Sequence, residues 1–279
     1  MMRLILLGVA LVSAAGLVFQ VTLTRLFALA QGYHFGFLAI SLALLGFGAS
    51  GTALAVRPSL ARGRTDEITE RLACLALSFS IGLIVSYLAI NYLPFDAYRI
   101  AWEPIQLLYL VLYYLALTTP FFLGGLALGL PLAALPADKT ARVYAANLAG
   151  SGLGCIIALG AITLFDATGA VMVAALLAGF GALVFARHAK IKCLTIGVLT
   201  VFGGLLLTRP AFFDLRLSPY KSLSQTLRLP DARVVSNAWN AYSQVQVVEF
   251  NGALGARLES HVPWHDADAT RLVRGCRRD

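Results

Sequence analysis

The stretch LILLGVALVSAAGLVFQVTLTRLFALA, residues 4–30, decides the fold class. Arg25 is its only charged residue. A helix of about 20 apolar residues crosses the hydrocarbon core of a bilayer, and this stretch is long enough. Six more follow, at 34–56, 72–94, 105–134, 143–165, 168–187 and 191–208, separated by short polar loops. Soluble domains do not repeat such stretches. The sequence therefore predicts an all-α membrane protein, a bundle of about seven transmembrane helices over residues 1–208. Residues 209–279 form a polar tail.

Composition points the same way. Hydrophobic residues make up 59% of the chain and charged residues 13%, against about 25% charged in soluble domains. The mean hydropathy is +0.78. A net charge of +8 could suggest nucleic acid, but excess Lys and Arg in a membrane chain mark cytoplasmic loops. Lipid is the expected partner and nucleic acid is not. The small helix faces leave homo-oligomerisation open. Cys74, Cys155, Cys193 and Cys276 form no CxxC pair, so neither a disulfide framework nor a zinc site is signalled. Arg3, the apolar run after it and Ser13-Ala14-Ala15 resemble a cleavable signal. The run continues to Ala30, so the first stretch reads as an uncleaved helix.

The loops alternate in charge. Arg57, Arg62, Arg64 and Arg71 flank the second connection, Lys139 and Arg142 the fourth, and Arg187, Lys190 and Lys192 the sixth. The odd-numbered connections hold little that is basic beyond Arg99. The positive-inside rule places the N-terminus in the cytoplasm, and seven spans then put the tail on the opposite side. The fourth stretch is over-long and contains Pro120, which removes a backbone donor. One kinked helix is the reading; a re-entrant hairpin is the alternative.

Small residues recur at helical spacing. Gly36, Ala39, Ala43, Gly46 and Ser50 line the second helix, Gly125 and Gly129 the fourth, and Gly150 and Gly154 the fifth. In lipid, small faces let backbones approach and packing holds helices together. Polar groups at membrane depth are costly. Gln20, Arg25, Tyr33 and His34 form a candidate polar cluster, with Asn91, Asp96 and Glu103 expected on the same membrane face. Such a cluster could bind an anionic head group or a small solute. The structural reading is that Arg25 reaches the interface and His34 bonds a neighbouring helix. Asn147 reads as helix glue.

Several segments resemble one family. They are Gln20-Val-Thr-Leu-Thr-Arg25, Gly32-Tyr-His-Phe-Gly-Phe-Leu-Ala, Thr119-Pro-Phe-Phe-Leu-Gly-Gly-Leu-Ala-Leu-Gly129 and Val143-Tyr-Ala-Ala-Asn-Leu-Ala-Gly150. Ser218-Pro-Tyr-Lys221 and Val245-Gln-Val-Val-Glu249 follow in order. Together they resemble the membrane region of bacterial integral-membrane spermidine-synthase-like proteins, over roughly residues 10–249. The resemblance implies a bacterial inner membrane location. It also implies a following soluble domain, of methyltransferase type, that binds an S-adenosylmethionine-type nucleotide and transfers an aminopropyl group. Residues 250–279 carry no strand followed by GxGxG, so no cofactor and no catalytic residue are expected in this chain. The tail reads as the incomplete start of that domain, ended by truncation or a frameshift, and the chain alone is expected not to catalyse.

Within the tail, Ala232–Ser236 and Ser243–Phe250 alternate like strands and allow a hairpin, but an isolated two-stranded unit is marginal in water, and a short, partly disordered tail is the default expectation. His261 and His265 stand near Asp266 and Asp268, but without HExxH or a third ordered ligand the sequence assigns no metal site. Two other functions stay open. One is a small-solute or polyamine transporter, suggested by Pro120, the glycine stripes and the polar cluster. The other is a membrane scaffold.

Overall fold

In the computed structural model the described residues are 2–30, 36–96, 99–215, 233–239 and 244–249. They form six α-helices: α1 Met2–Ala30, α2 Gly36–Val56, α3 Thr65–Tyr92, α4 Ile105–Ala134, α5 Ala137–Phe185 and α6 Ala189–Thr208. All six are long and apolar enough to cross a membrane. The chain is a multi-pass helical membrane protein. Short 3-10 turns, Pro58–Ala61 and Ala211–Phe213, follow α2 and α6.

The count of helices is six, not the seven read from sequence. The stretches 143–165 and 168–187 lie in one element, the 49-residue α5. A straight helix of that length would extend roughly 70 Å, more than twice the hydrocarbon core. It is not straight: Asp166 has φ 62° and ψ −177°, far from helical values. The neighbours of its two arms show what this break does. On the first arm Gly150 faces Ala10 of α1 and Gly154 faces Ala14, so this arm runs parallel to α1. On the second, Gly181 faces Gly8 and Val12, and Phe185 covers Gly8, so this arm runs antiparallel. Both arms pass the same level of α1. α5 is a helical hairpin whose turn is too short to divide the helix in two.

The other packing directions are mutually consistent. α2 and α4 run parallel, with Gly46 on Phe121 and Phe122, Gly125 on Ser50, and Gly129 on Leu54. α3 runs antiparallel to α4, where Gly124 meets Phe79 and Gly82 meets Pro120. It also runs antiparallel to the second arm of α5, donating from Ser80 Oγ to the Ala175 carbonyl at 2.6 Å. α6 lies outermost against that arm, Leu199 on Gly179 and Leu206 on Gly169. α4 is continuous through Pro120 and Pro131, which answers the choice between one helix and a re-entrant hairpin in favour of one helix.

Glycine is required where α5 crosses α1. A Cβ at Gly154 would lie 2.6 Å from the Ala14 carbonyl oxygen and 2.8 Å from its Cα. At Gly150 it would strike the backbone of Ala10. Backbone cannot swing aside as a side chain can, so only hydrogen fits. The aromatic core lies deeper, with Phe121 between Phe19 at 5.6 Å and Phe47 at 5.9 Å.

α3 starts seven residues before the stretch read from sequence, at Thr65 rather than 72. Its first turn is polar and carries Asp66 and Glu67, which favour the positive end of the helix dipole. Glu67 also accepts the Arg64 backbone N–H at 3.3 Å. The C-terminal strands β1 Arg233–Trp239 and β2 Gln244–Glu249 pair antiparallel, with a bulge between Val234 and Ser236. β1 rests against α5.

Candidate functional site

The helix directions sort the charges onto two faces. Arg3, the residues Arg57 to Arg71, Lys139, Arg142, Arg187, Lys190 and Lys192 all lie at helix ends on one face. There Glu70 of α3 reaches across to the start of α6. Its carboxylate accepts the backbone N–H of Arg187 at 2.9 Å and of His188 at 3.3 Å. A helix start carries orphan N–H groups, and this one is capped by another helix. Arg71 closes the loop before it, donating to the Leu60 and Arg62 carbonyls at 2.8 Å each.

The opposite face gathers the ends of α3 and α6 and the turn of α5. Asp166 caps the second arm of α5: its Oδ1 accepts the Gly169 N–H at 2.9 Å, three residues on. Its other oxygen meets Arg209 Nη1 at 3.6 Å. Arg209 ends α6 in the left-handed region, φ 42° and ψ 62°, a place usually taken by glycine. Pro210 follows and cannot extend the helix. The guanidinium also stands 5.9 Å from the Phe165 ring centroid.

The chain leaving α6 is then held by two tyrosines of α3. Tyr87 Oη donates to the Phe213 carbonyl at 2.6 Å and lies 2.8 Å from Thr168 Oγ1. Its ring stacks on Phe213, 5.9 Å apart and 8° from parallel. Tyr92 Oη donates to the Phe212 carbonyl at 2.8 Å. Asp166, Thr168, Arg209, Phe213 and Asp214 enclose a cavity of about 40 Å³, room for about one water molecule. Between α3 and α4, Arg99 pairs with Asp96 at 3.4 Å and Glu103 at 3.3 Å, and Gln106 Oε1 accepts the Asp96 N–H at 2.9 Å. The arrangement joins three helix ends to the first residues of the tail.

Of the cluster read from sequence, Gln20 and Arg25 are half-buried on α1. Thr24 Oγ1 between them donates to the Gln20 carbonyl. Tyr33 and His34 lie outside the described residues, as do His261 and His265. Among the described residues no group of three metal donors forms. Asn147 pairs with Ser13 Oγ of α1 at 2.6 Å. The residues sequence reading passed over are Asp166, Arg209, Tyr87 and Phe213. One signal was present: Phe165-Asp-Ala-Thr-Gly169 sets a lone Asp ahead of an apolar run, a helix-start pattern. No family model, curated protein or solved structure matches this chain.

Proposed function

We propose that the chain is the seven-pass membrane module of a spermidine-synthase-like protein, with the α5 hairpin supplying two of the passes. Its role is to hold the C-terminal segment in a fixed place at the membrane face opposite the basic loops. One observation carries this reading: the residues after α6 are pinned to α3 and α5 by the Arg209–Asp166 pair and by Tyr87 and Tyr92. A flexible tether would need none of these contacts. The rest β1 takes against α5 supports the same role. The family assignment itself rests on the ordered segments from Gln20 to Glu249.

The anchor does not carry the chemistry. A spin label at Asp214→Cys, with Cys74, Cys155, Cys193 and Cys276 replaced, tests the holding role. It is immobile in the parent and mobile when Tyr87→Phe and Tyr92→Phe are combined. A label equally mobile in both defeats the reading. Aminopropyl transfer by the purified chain alone would defeat the non-catalytic part.

A further inference from the structure

A cavity of about 360 Å³ lies within the bundle, walled by α1, α2, α3, α4 and the first arm of α5. That volume is in the range of small-molecule sites, which combine apolar walls with a few placed polar groups. Residues of α2 and of the first arm of α5 line two of its sides, and these two helices make at most marginal contact with each other. Its lining begins near the basic face, with Asn147 five residues along α5 from Arg142, roughly 7.5 Å at helical rise, and runs inward from there. Ser13 stands ten residues along α1 from Arg3, roughly 15 Å at helical rise.

The polar lining is specific. Ser13, Ser50, Asn147 and Ser151 face the space, and no charged side chain does. Ser50 Oγ is satisfied by the Phe47 carbonyl at 2.7 Å. Ser13, only 1% exposed, bonds the Val9 carbonyl and Asn147. A carboxamide has two N–H donors and an acceptor oxygen, and Ser13 engages one atom of it. Asn147 is half-buried and lines the cavity, so the rest of its carboxamide is open to a polar group of a ligand. The glycines differ too. A Cβ at Gly150 or Gly154 would strike backbone, but at Gly16, on the cavity wall, its nearest neighbour would be the Phe47 ring at 4.0 Å. Helix packing does not require glycine at that position.

We propose that this cavity binds a neutral, lipid-soluble amphiphile that enters from the bilayer between α2 and α5. A slim apolar body would fill the glycine-lined space, and a carboxamide head would pair with Asn147. The proposal is independent of the anchor role. The test uses the full chain in lipid nanodiscs with two photoreactive probes, a diazirine-bearing dodecanamide and the matching diazirine-bearing dodecane. Adducts are mapped by mass spectrometry.

The amide probe should label peptides containing Gly16, Phe47 or Asn147 more strongly than the alkane does, and unlabelled dodecanamide should compete. Asn147→Ala should weaken amide labelling about three- to tenfold, the worth of one neutral hydrogen bond, and leave alkane labelling unchanged. Gly16→Leu should abolish cavity labelling by both probes. Labelling of Ile196 and Val201, on the exposed face of α6, should stay constant as the reference for an intact fold. Equal labelling of the cavity by both probes overturns the proposal, as does amide labelling that survives Gly16→Leu. Should Gly16→Leu disturb the fold, the competition result in the parent protein decides alone.

Discussion

Asp166 and Arg209 are the two non-glycine residues with positive φ among the described residues, and their side chains pair at 3.6 Å. One turns α5 back on itself and the other ends α6. Asp166 sits in a backbone region that is almost exclusively glycine's. Strained backbone persists only where its surroundings over-determine it. Here the Gly169 N–H, the Arg209 guanidinium and both arms of α5 against α1 supply that determination.

Replacing Asp166 separates these contributions. The pair is partly exposed, with side-chain accessibilities of 51% and 31%, so its charge contributes little. Asp166→Asn keeps the cap and should cost less than about 1 kcal/mol. Asp166→Ala loses the cap while keeping the strain, and should cost about 1–2 kcal/mol. Asp166→Gly loses the cap but relieves the backbone, and should be about 1 kcal/mol more stable than Asp166→Ala. Thermal melts in detergent give the order; equal stability of the Ala and Gly variants contradicts the strained turn.

The α1–α5 crossing predicts opposite outcomes for two glycines on one arm. Gly150→Ala places a methyl on the Ala10 backbone and should lower both folded yield and melting temperature. At Gly152 no atom lies within 4 Å of a Cβ. There alanine should stabilise by up to about 1 kcal/mol through helix propensity. Equal effects at both sites would mean α5 does not meet α1 as described.

Glu70→Ala should uncap α6 from a distance. A lost cap costs about 0.5–2 kcal/mol, and the damage should be local. Hydrogen exchange at residues 187–191 should accelerate while α3 around Ser80 stays protected. Uniform acceleration across the bundle would show Glu70 acting on global stability instead.

Tyr87→Phe keeps the stack on Phe213 and deletes the hydroxyl. The Phe213 carbonyl then loses its donor, for a cost of about 1–3 kcal/mol if it stays buried. Exchange at residues 211–214 should rise several-fold more than in Tyr92→Phe, whose hydroxyl bond is exposed. The same rise in both variants would make burial irrelevant to the latch.

The helical class was legible because hydrophobic length is a local property, read within each stretch. Pro120 was legible only as a choice, since one sequence fits a kinked helix or a hairpin. The start of α3 at Thr65 escaped because its first turn is polar and hydropathy cannot see it. The helix count differed because one residue, Asp166, makes the turn, and no loop of ordinary length separates the two arms. Asp166 and Arg209 are 43 residues apart and Glu70 and Arg187 are 117 apart. Such pairs exist only once the helices are packed, and no periodicity reports them. A positive φ at Asp or Arg leaves no compositional trace either.

The central claim is that α5 turns back at Asp166, and membrane topology tests it most directly. Reporter fusions at Lys139, in the first turn of α5, and after Lys221, beyond α6, are separated by two passes if α5 crosses once. They are separated by three if it is a hairpin. The account predicts a cytoplasmic reporter at Lys139 and one on the opposite side after Lys221. Both reporters on the same side would contradict it.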